Sequence, residues 1–129
     1  APADFSLWRG HGRVLVIDDE EMVRITAQEI LEDMGFEVLC AGDGLEGERL
    51  FREHGKELAA VFLDLTMPGR NGVETYRALQ ACGLAVPIIV CSGYAQEHAL
   101  HQFQEGQQVR FLQKPYACES IAAIMRELT

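Results

Sequence analysis

Basic residues are scarce in this sequence. Eleven Lys and Arg stand against twenty Asp and Glu, a net charge of −9 over 129 residues. Such a surface repels nucleic acid and anionic lipid headgroups, so no nucleic-acid partner and no direct membrane contact are expected. Long apolar runs are missing too. None approaches the roughly 18 residues needed to cross a bilayer, and no secretory apolar segment opens the chain. Cysteine is sparse: Cys40, Cys82, Cys91 and Cys118 form no CxxC and no zinc-finger spacing with His. They are expected to be reduced, buried thiols of a cytosolic protein rather than metal ligands or disulfides. What is present is an ordinary apolar fraction, 48%, in a chain of single-domain size. The first residue is Ala rather than Met, which fits a processed product or a piece of something longer.

Residues 1–12 (APADFSLWRGHG) show no sustained periodicity and mix Pro and Gly with isolated aromatics. They read as a linker or tail, with Trp8 expected to pack on the domain edge. From Arg13 a regular alternation begins. RVLVI (13–17) is a short β-branched run. Residues 20–34 carry Val23, Ala27, Ile30 and Met34 at helical spacing, and Gly35 stops them. FEVLC (36–40) is a second strand, followed by a helix near 45–54 that Gly55 is expected to close. LAAVFLDL (58–65) is a third strand and 72–82 a third helix ending at Gly83. VPIIVCS (86–92) is a fourth strand. Residues 95–105 make a weaker, more polar helix stopped by Gly106. VRFLQ (109–113) is a fifth strand, and 117–128 a clear amphipathic helix with Ile121, Ile124, Met125 and Leu128 on one face. Five strand–helix units imply an α/β fold with a parallel sheet covered on both faces. In such sheets ligands bind outside the carboxyl ends of the strands.

Those ends carry chemistry. Strand one ends in Asp18-Asp19, strand three in Asp64, strand four in Ser92 and strand five in Lys114-Pro115. Three carboxylates at one edge repel one another unless compensated. A hard divalent cation suits them, and Mg²⁺ in particular, because it needs only one or two direct carboxylates and keeps open positions for phosphate oxygens. Lys114 adds a compact positive charge and Ser92 a hydroxyl donor. Together they match a group with three anionic oxygens, with Asp64 able to accept a phosphoryl group. Taken singly, each residue has a plainer reading. Asp18 and Asp19 could cap a helix, Asp64 could form a turn, and Ser92 or Lys114 could be solvated. Glu20 and Glu21 read as first-turn helix acids facing solvent. His11, His54, His98 and His101 lie in the linker or on helices and read as surface residues. Four strands placing functional groups on one edge by chance is the harder reading to sustain.

The stretches VLVIDDEE, LDLTMPGRNG, VCSGY and FLQKPY, in this order and on these strand ends, resemble the receiver domain of bacterial response regulators. The resemblance covers about residues 13–128, so 13–129 is taken as the receiver domain. It implies a flavodoxin-like, doubly wound (βα)5 sandwich with a five-stranded parallel sheet of order 2-1-3-4-5. It also implies that Asp64 takes a phosphoryl group from a kinase phosphohistidine. By the same resemblance, Asp18 and Asp19, with Asp64 and the backbone carbonyl of Thr66, hold Mg²⁺. Lys114 contacts the phosphoryl oxygens. Ser92 and Phe111 form the switch pair that moves the surface of the fourth helix, fifth strand and fifth helix. The Lys114–Pro115 peptide is cis in the family, as an X-Pro bond allows at low cost. Phe111 lacks the hydroxyl of the Tyr often found there, so its switch cannot use a phenolic hydrogen bond. Gly93 leaves access to the site open. Thr66 and Tyr94 stand where family members tune the lifetime of the phosphoryl group.

The wording LDLTMPG and SGY, with WRG before strand one, looks most like receivers carried by hybrid sensor histidine kinases. That implies a histidine kinase or histidine phosphotransfer domain as partner. It also implies a cytoplasmic setting, as the cytoplasmic part of a membrane-bound sensor kinase. An isolated domain of this kind would catalyse only its own phosphorylation and dephosphorylation, whereas the parent chain would be a protein-histidine kinase. A stand-alone single-domain response regulator is the alternative. A Mg²⁺-dependent aspartyl-phosphate phosphatase wants a second carboxylate two residues after the nucleophile, and Thr66 stands there instead. An FMN binder wants a Ser/Thr/Gly loop after strand one, where DDEE would repel phosphate.

Overall fold

In a computed structural model of the chain, which describes residues 10–65, 72–83, 86–93, 110–114 and 116–128, strands and helices alternate as expected. The elements are β1 (Arg13–Ile17), α1 (Glu21–Asp33), β2 (Glu37–Ala41), α2 (Gly44–His54), a 3-10 turn (Gly55–Glu57), β3 (Leu58–Asp64), α3 (Gly72–Ala81), β4 (Ile88–Ser92), β5 (Arg110–Gln113) and a last helix (Cys118–Leu128). The expected helix at 95–105 lies outside the described residues, as do Trp8, His98, His101 and Gly106. Every strand pair is parallel, and the sheet runs β2-β1-β3-β4-β5.

The two-residue period of the strands divides the core into two layers. Val14, Val16, Phe62, Ile89 and Leu112 face α1 and the last helix, meeting Ala27, Leu31, Ile121 and Met125. Leu15, Ile17, Val61, Leu63 and Val90 face α2 and α3, meeting Phe51, Tyr76 and Leu79. β1 and β3, at the centre, are almost wholly buried. Each fully buried Val, Leu, Ile or Phe there contributes roughly 1.5–3 kcal/mol relative to exposure. This interior fixes the strands rigidly and so fixes the positions of their last residues.

The helix ends follow local chemistry. Asp43 caps α2, its side chain accepting the Glu46 amide at 2.8 Å. Gly35 and Gly83 end α1 and α3 in the left-handed region, at φ 104° and 75°, which a residue with a Cβ adopts at a cost. Gly55 closes α2 as expected, as its C-cap, but at φ −48°, ψ −41° it stays right-handed and carries the chain straight into the 3-10 turn. The cysteines also depart from a uniformly buried set. Cys91 is buried, Cys40 and Cys82 are half-buried, and Cys118 is exposed, all four with free thiols. Among the described residues no helix is long and apolar enough to cross a membrane.

Candidate functional site

Backbone hydrogen bonds hold the carboxyl ends of the strands together. The Asp18 amide donates to the Ala41 carbonyl at 3.1 Å, joining the tips of β1 and β2. The Leu65 amide donates to Cys91 at 3.0 Å, and the Lys114 amide to Ser92 at 2.8 Å. Asp64 lies opposite Cys91 in the β3–β4 register, and Ser92 opposite Gln113 in β4–β5. α3 begins hard against this edge: a Cβ at Gly72 would fall 2.4 Å from the Asp64 carbonyl oxygen and from the Leu65 Cα. Only glycine lets the helix start so close to the strand it follows.

Three of the expected residues meet directly. The Lys114 ammonium stands 2.7 Å from Asp18 Oδ2 and 3.4 Å from Asp64 Oδ2. Asp18, Asp64 and Ser92 are all buried, at 0%, 1% and 1% exposure, which is far from the solvated turn residues that each would be in isolation. Burial works against the Lys114 charge, but the close contact with Asp18 and the attraction of Asp64 outweigh it. The ammonium is held above the usual lysine value. Asp18 Oδ1 accepts the Glu20 amide at 2.9 Å, while the buried Oδ2 has no hydrogen bond among the described residues and faces the ammonium alone. Neither aspartate caps α1: its N-cap residue is Glu20, with no side-chain cap bond.

The acidic group is larger than the sequence suggests. Carboxylate oxygens of Asp18, Asp19 and Glu20 lie within 4.8 Å of one another. Glu20 is exposed, as a helix-start acid should be, yet its carboxylate is also 3.9 Å from the Lys114 ammonium. With Asp64 this makes three carboxylates around one lysine, and Asp19 adds a fourth to the same edge beside Asp18 and Glu20. A buried carboxylate whose outer oxygen is paired only with an ammonium, beside two solvent-reachable carboxylates, is a donor set that fits a hard divalent cation. Thr66, the expected carbonyl ligand, lies outside the described residues, as do Tyr94 and Pro115. Phe111 is half-buried and packs on the α2–α3 side of the sheet. A Cβ at Gly93 would meet nothing within 4 Å, so the approach past Ser92 is open among the described residues.

Two further residues belong to this edge. Arg24 donates from Nη1 to the Asp18 carbonyl at 2.7 Å. The Tyr116 ring packs edge-on against Phe62, centroids 6.5 Å apart. Burial pushes the Tyr116 hydroxyl and the neighbouring Cys91 thiol up, the thiol to about 12, and the thiol donates to the Ile89 carbonyl at 3.6 Å. Tyr116 also lines an open hollow of about 180 Å³ with Met22, Val23, Thr26 and Lys114. Larger hollows, of about 480 and 320 Å³, lie around His54 and Arg13 at the opposite edge of the sheet. There Arg13 bonds Glu37 and Glu57 at 2.8 and 2.6 Å. Those hollows are lined by solvated charges and hold no convergent buried groups, so size alone does not locate the chemistry.

Known proteins resemble the chain in sequence and fold. Residues 14–126 match the response regulator receiver domain family. The sensor kinase CckA of Brucella abortus is 29% identical over 119 residues, which are 92% of this chain and 13% of CckA. The chemotaxis protein CheY of Bacillus subtilis is 27% identical over 110 residues, 84% of this chain and 90% of CheY. The receiver domain of the histidine kinase CKI1 from Arabidopsis thaliana, in a crystal structure with Mg²⁺ and BeF3−, superposes with a TM-score of 0.77. It is 31% identical, and the match covers 98% of this chain and 95% of that one. A sheet of order 2-1-3-4-5, acids at the ends of its first and third strands, a lysine after the fifth, and a family match over nearly the whole length lead to one conclusion: the chain belongs to the response regulator receiver domain family of two-component signalling.

Proposed function

We propose that this receiver takes a phosphoryl group on Asp64 from the phosphohistidine of a histidine kinase or histidine phosphotransfer domain. An Asp64 carboxylate oxygen attacks phosphorus, the phosphorus–nitrogen bond breaks, and the imidazole leaves with the electron pair and takes up a proton. Asp18 and Asp19, with Glu20 beside them and the Thr66 carbonyl, would hold Mg²⁺, which when bound neutralises charge on the phosphoryl oxygens. Lys114 orients and balances the same oxygens as they develop charge, and Ser92 donates a hydrogen bond to the phosphorylated state. Ser92 and Phe111 then bias a two-state equilibrium of the surface around β5 and the last helix.

The observation that carries this reading is one ammonium within 2.7 and 3.4 Å of two buried carboxylates from different strands. A transferred phosphoryl group brings the negative charge such an ammonium can re-pair with. Likeness to the CckA and CKI1 receivers supports a place in a hybrid sensor kinase, with residues 13–129 as the receiver, 1–12 leading into it, and a cytoplasmic setting. Likeness to CheY over 90% of its length supports the stand-alone alternative, and a kinase core encoded upstream would separate the two. The chemistry is tested with Mg²⁺ and phosphoryl-labelled acetyl phosphate. The parent protein incorporates base-labile label and Asp64→Asn does not. Equal labelling of the two proteins would remove Asp64 from its role.

A further inference from the structure

Asp18 is held at every polar atom. Its amide donates to the Ala41 carbonyl at 3.1 Å, its Oδ1 accepts the Glu20 amide at 2.9 Å, and its Oδ2 faces Lys114 at 2.7 Å. Its carbonyl accepts from Arg24 Nη1, also at 2.7 Å. The last bond combines two features: it is charge-assisted, and so stronger than a neutral amide bond, and it acts on the backbone carbonyl without occupying a carboxylate oxygen.

The Asp18 carbonyl belongs to the planar peptide unit that ends at the Asp19 Cα. Fixing that oxygen therefore fixes the point from which the Asp19 side chain leaves. Asp19 is exposed, and among the described residues no hydrogen bond or ion pair holds its carboxylate. Its placement falls on the backbone, and the backbone is tied down here by Arg24. The geometry of α1 makes the reach natural. Arg24 lies in the first turn of the helix, where side chains lean back toward the N-terminus, over the turn that carries the acids.

The guanidinium is itself located by its surroundings. A Cβ at Gly42, just past the tip of β2, would lie 3.5 Å from Arg24 Nη1 and 3.9 Å from Cζ. A Cβ there would make ordinary van der Waals contact with the planar group, so a long side chain at Gly42, rather than any side chain, is what would crowd it against the strand end. The tip of β2 carries no reactive group, and this is how it takes part in the site.

We propose that Arg24 is a positioning residue of the acidic turn: by its bond to the Asp18 carbonyl it sets the direction of Asp19, and with it the affinity of the turn for a divalent cation. The inference rests on the reading of Asp18 and Asp19 as cation ligands. The test is calorimetric titration with Mg²⁺ alone, paired with urea unfolding under chelator, for the parent protein, Arg24→Ala, Arg24→Lys and Gly42→Leu. Partners one layer behind metal ligands typically alter affinity by about 10–100-fold. Arg24→Ala weakens Mg²⁺ by that order, Arg24→Lys restores most of it by keeping a charged donor, and Gly42→Leu weakens it by crowding a guanidinium that is still present. If Arg24→Ala does not fold, the other two variants carry the test. Unchanged Mg²⁺ affinity in Arg24→Ala, or in Gly42→Leu with the parent's folding midpoint, overturns the positioning role while leaving the phosphoacceptor reading intact. Failure of the parent protein to bind Mg²⁺ at millimolar concentration overturns both.

Discussion

Asp64 should change its effect on stability according to whether Lys114 is present. The ammonium stands 2.7 Å from Asp18 Oδ2 and 3.4 Å from Asp64 Oδ2. Those two carboxylate oxygens are therefore no more than 6.1 Å apart, the sum of the two distances. At an effective dielectric of about 20, two unit charges at that limit repel by at least about 2.7 kcal/mol. Lys114 opposes this with an attraction to Asp64 of about 4.9 kcal/mol on the same scale. Removing Asp64's charge from the parent protein relieves the repulsion and its own desolvation, but forfeits the attraction, so Asp64→Asn should be close to neutral. Lys114→Met removes the attraction and leaves the repulsion, a loss of about 3–5 kcal/mol, as for one partner of a buried pair. In that background Asp64→Asn should restore at least about 2.7 kcal/mol. The assay is urea unfolding of the parent, both single variants and the double variant, with divalent cations chelated and the two-state test applied. A double variant no more stable than Lys114→Met would refute the reasoning, since it would mean the two carboxylates do not feel one another through this edge.

Two further outcomes follow from packing. Gly72→Ala places a Cβ 2.4 Å from backbone atoms of Asp64 and Leu65, whereas at Gly47 the new carbon meets only the Ile17 side chain, at 2.5 Å. Unfolding in urea should show a loss of about 1–3 kcal/mol for Gly72→Ala and a smaller one for Gly47→Ala, and the opposite order would contradict the structure. Thiol labelling at pH 8 should modify exposed Cys118 first and Cys91 only on unfolding, because Cys91 is buried and its thiol is pushed up to about 12. Equal rates at Cys118 and Cys91 in the folded protein would refute this.

The strand ends were legible in the sequence because a buried parallel strand is a short apolar run, and its first polar residue marks the sheet edge. Asp18, Asp64, Ser92 and Lys114 could each be placed that way, and three of them meet through one ammonium. Arg24 and Tyr116 could not. Arg24 sits in a helix whose pattern reports only which face is buried, and Tyr116 lies in the connection between β5 and the last helix, where no period applies; each is placed by packing against neighbouring elements. Glu20 was legible as a helix-start acid but not as a fourth carboxylate, because the turn after β1 sets both roles and the sequence favoured the commoner one. Gly55 marked the end of α2 correctly, but not the 3-10 turn it opens, because glycine permits a left-handed stop without requiring it and here the chain takes one more turn to reach β3.

The two kinds of residue do different work, which explains why one pattern reveals the first and not the second. Asp18, Asp64 and Lys114 must be of one type, since a charge of given sign is wanted at a given strand tip. Their identities therefore stand out against apolar strands. Arg24 acts on a carbonyl, a group every residue carries, so nothing in the sequence of the acceptor announces it. A site built on the tips of buried strands thus shows its charges in the sequence and hides the restraints that aim them. If the turn holds a divalent cation as proposed, the restraints are where substitutions alter its affinity while every recognised motif remains in place.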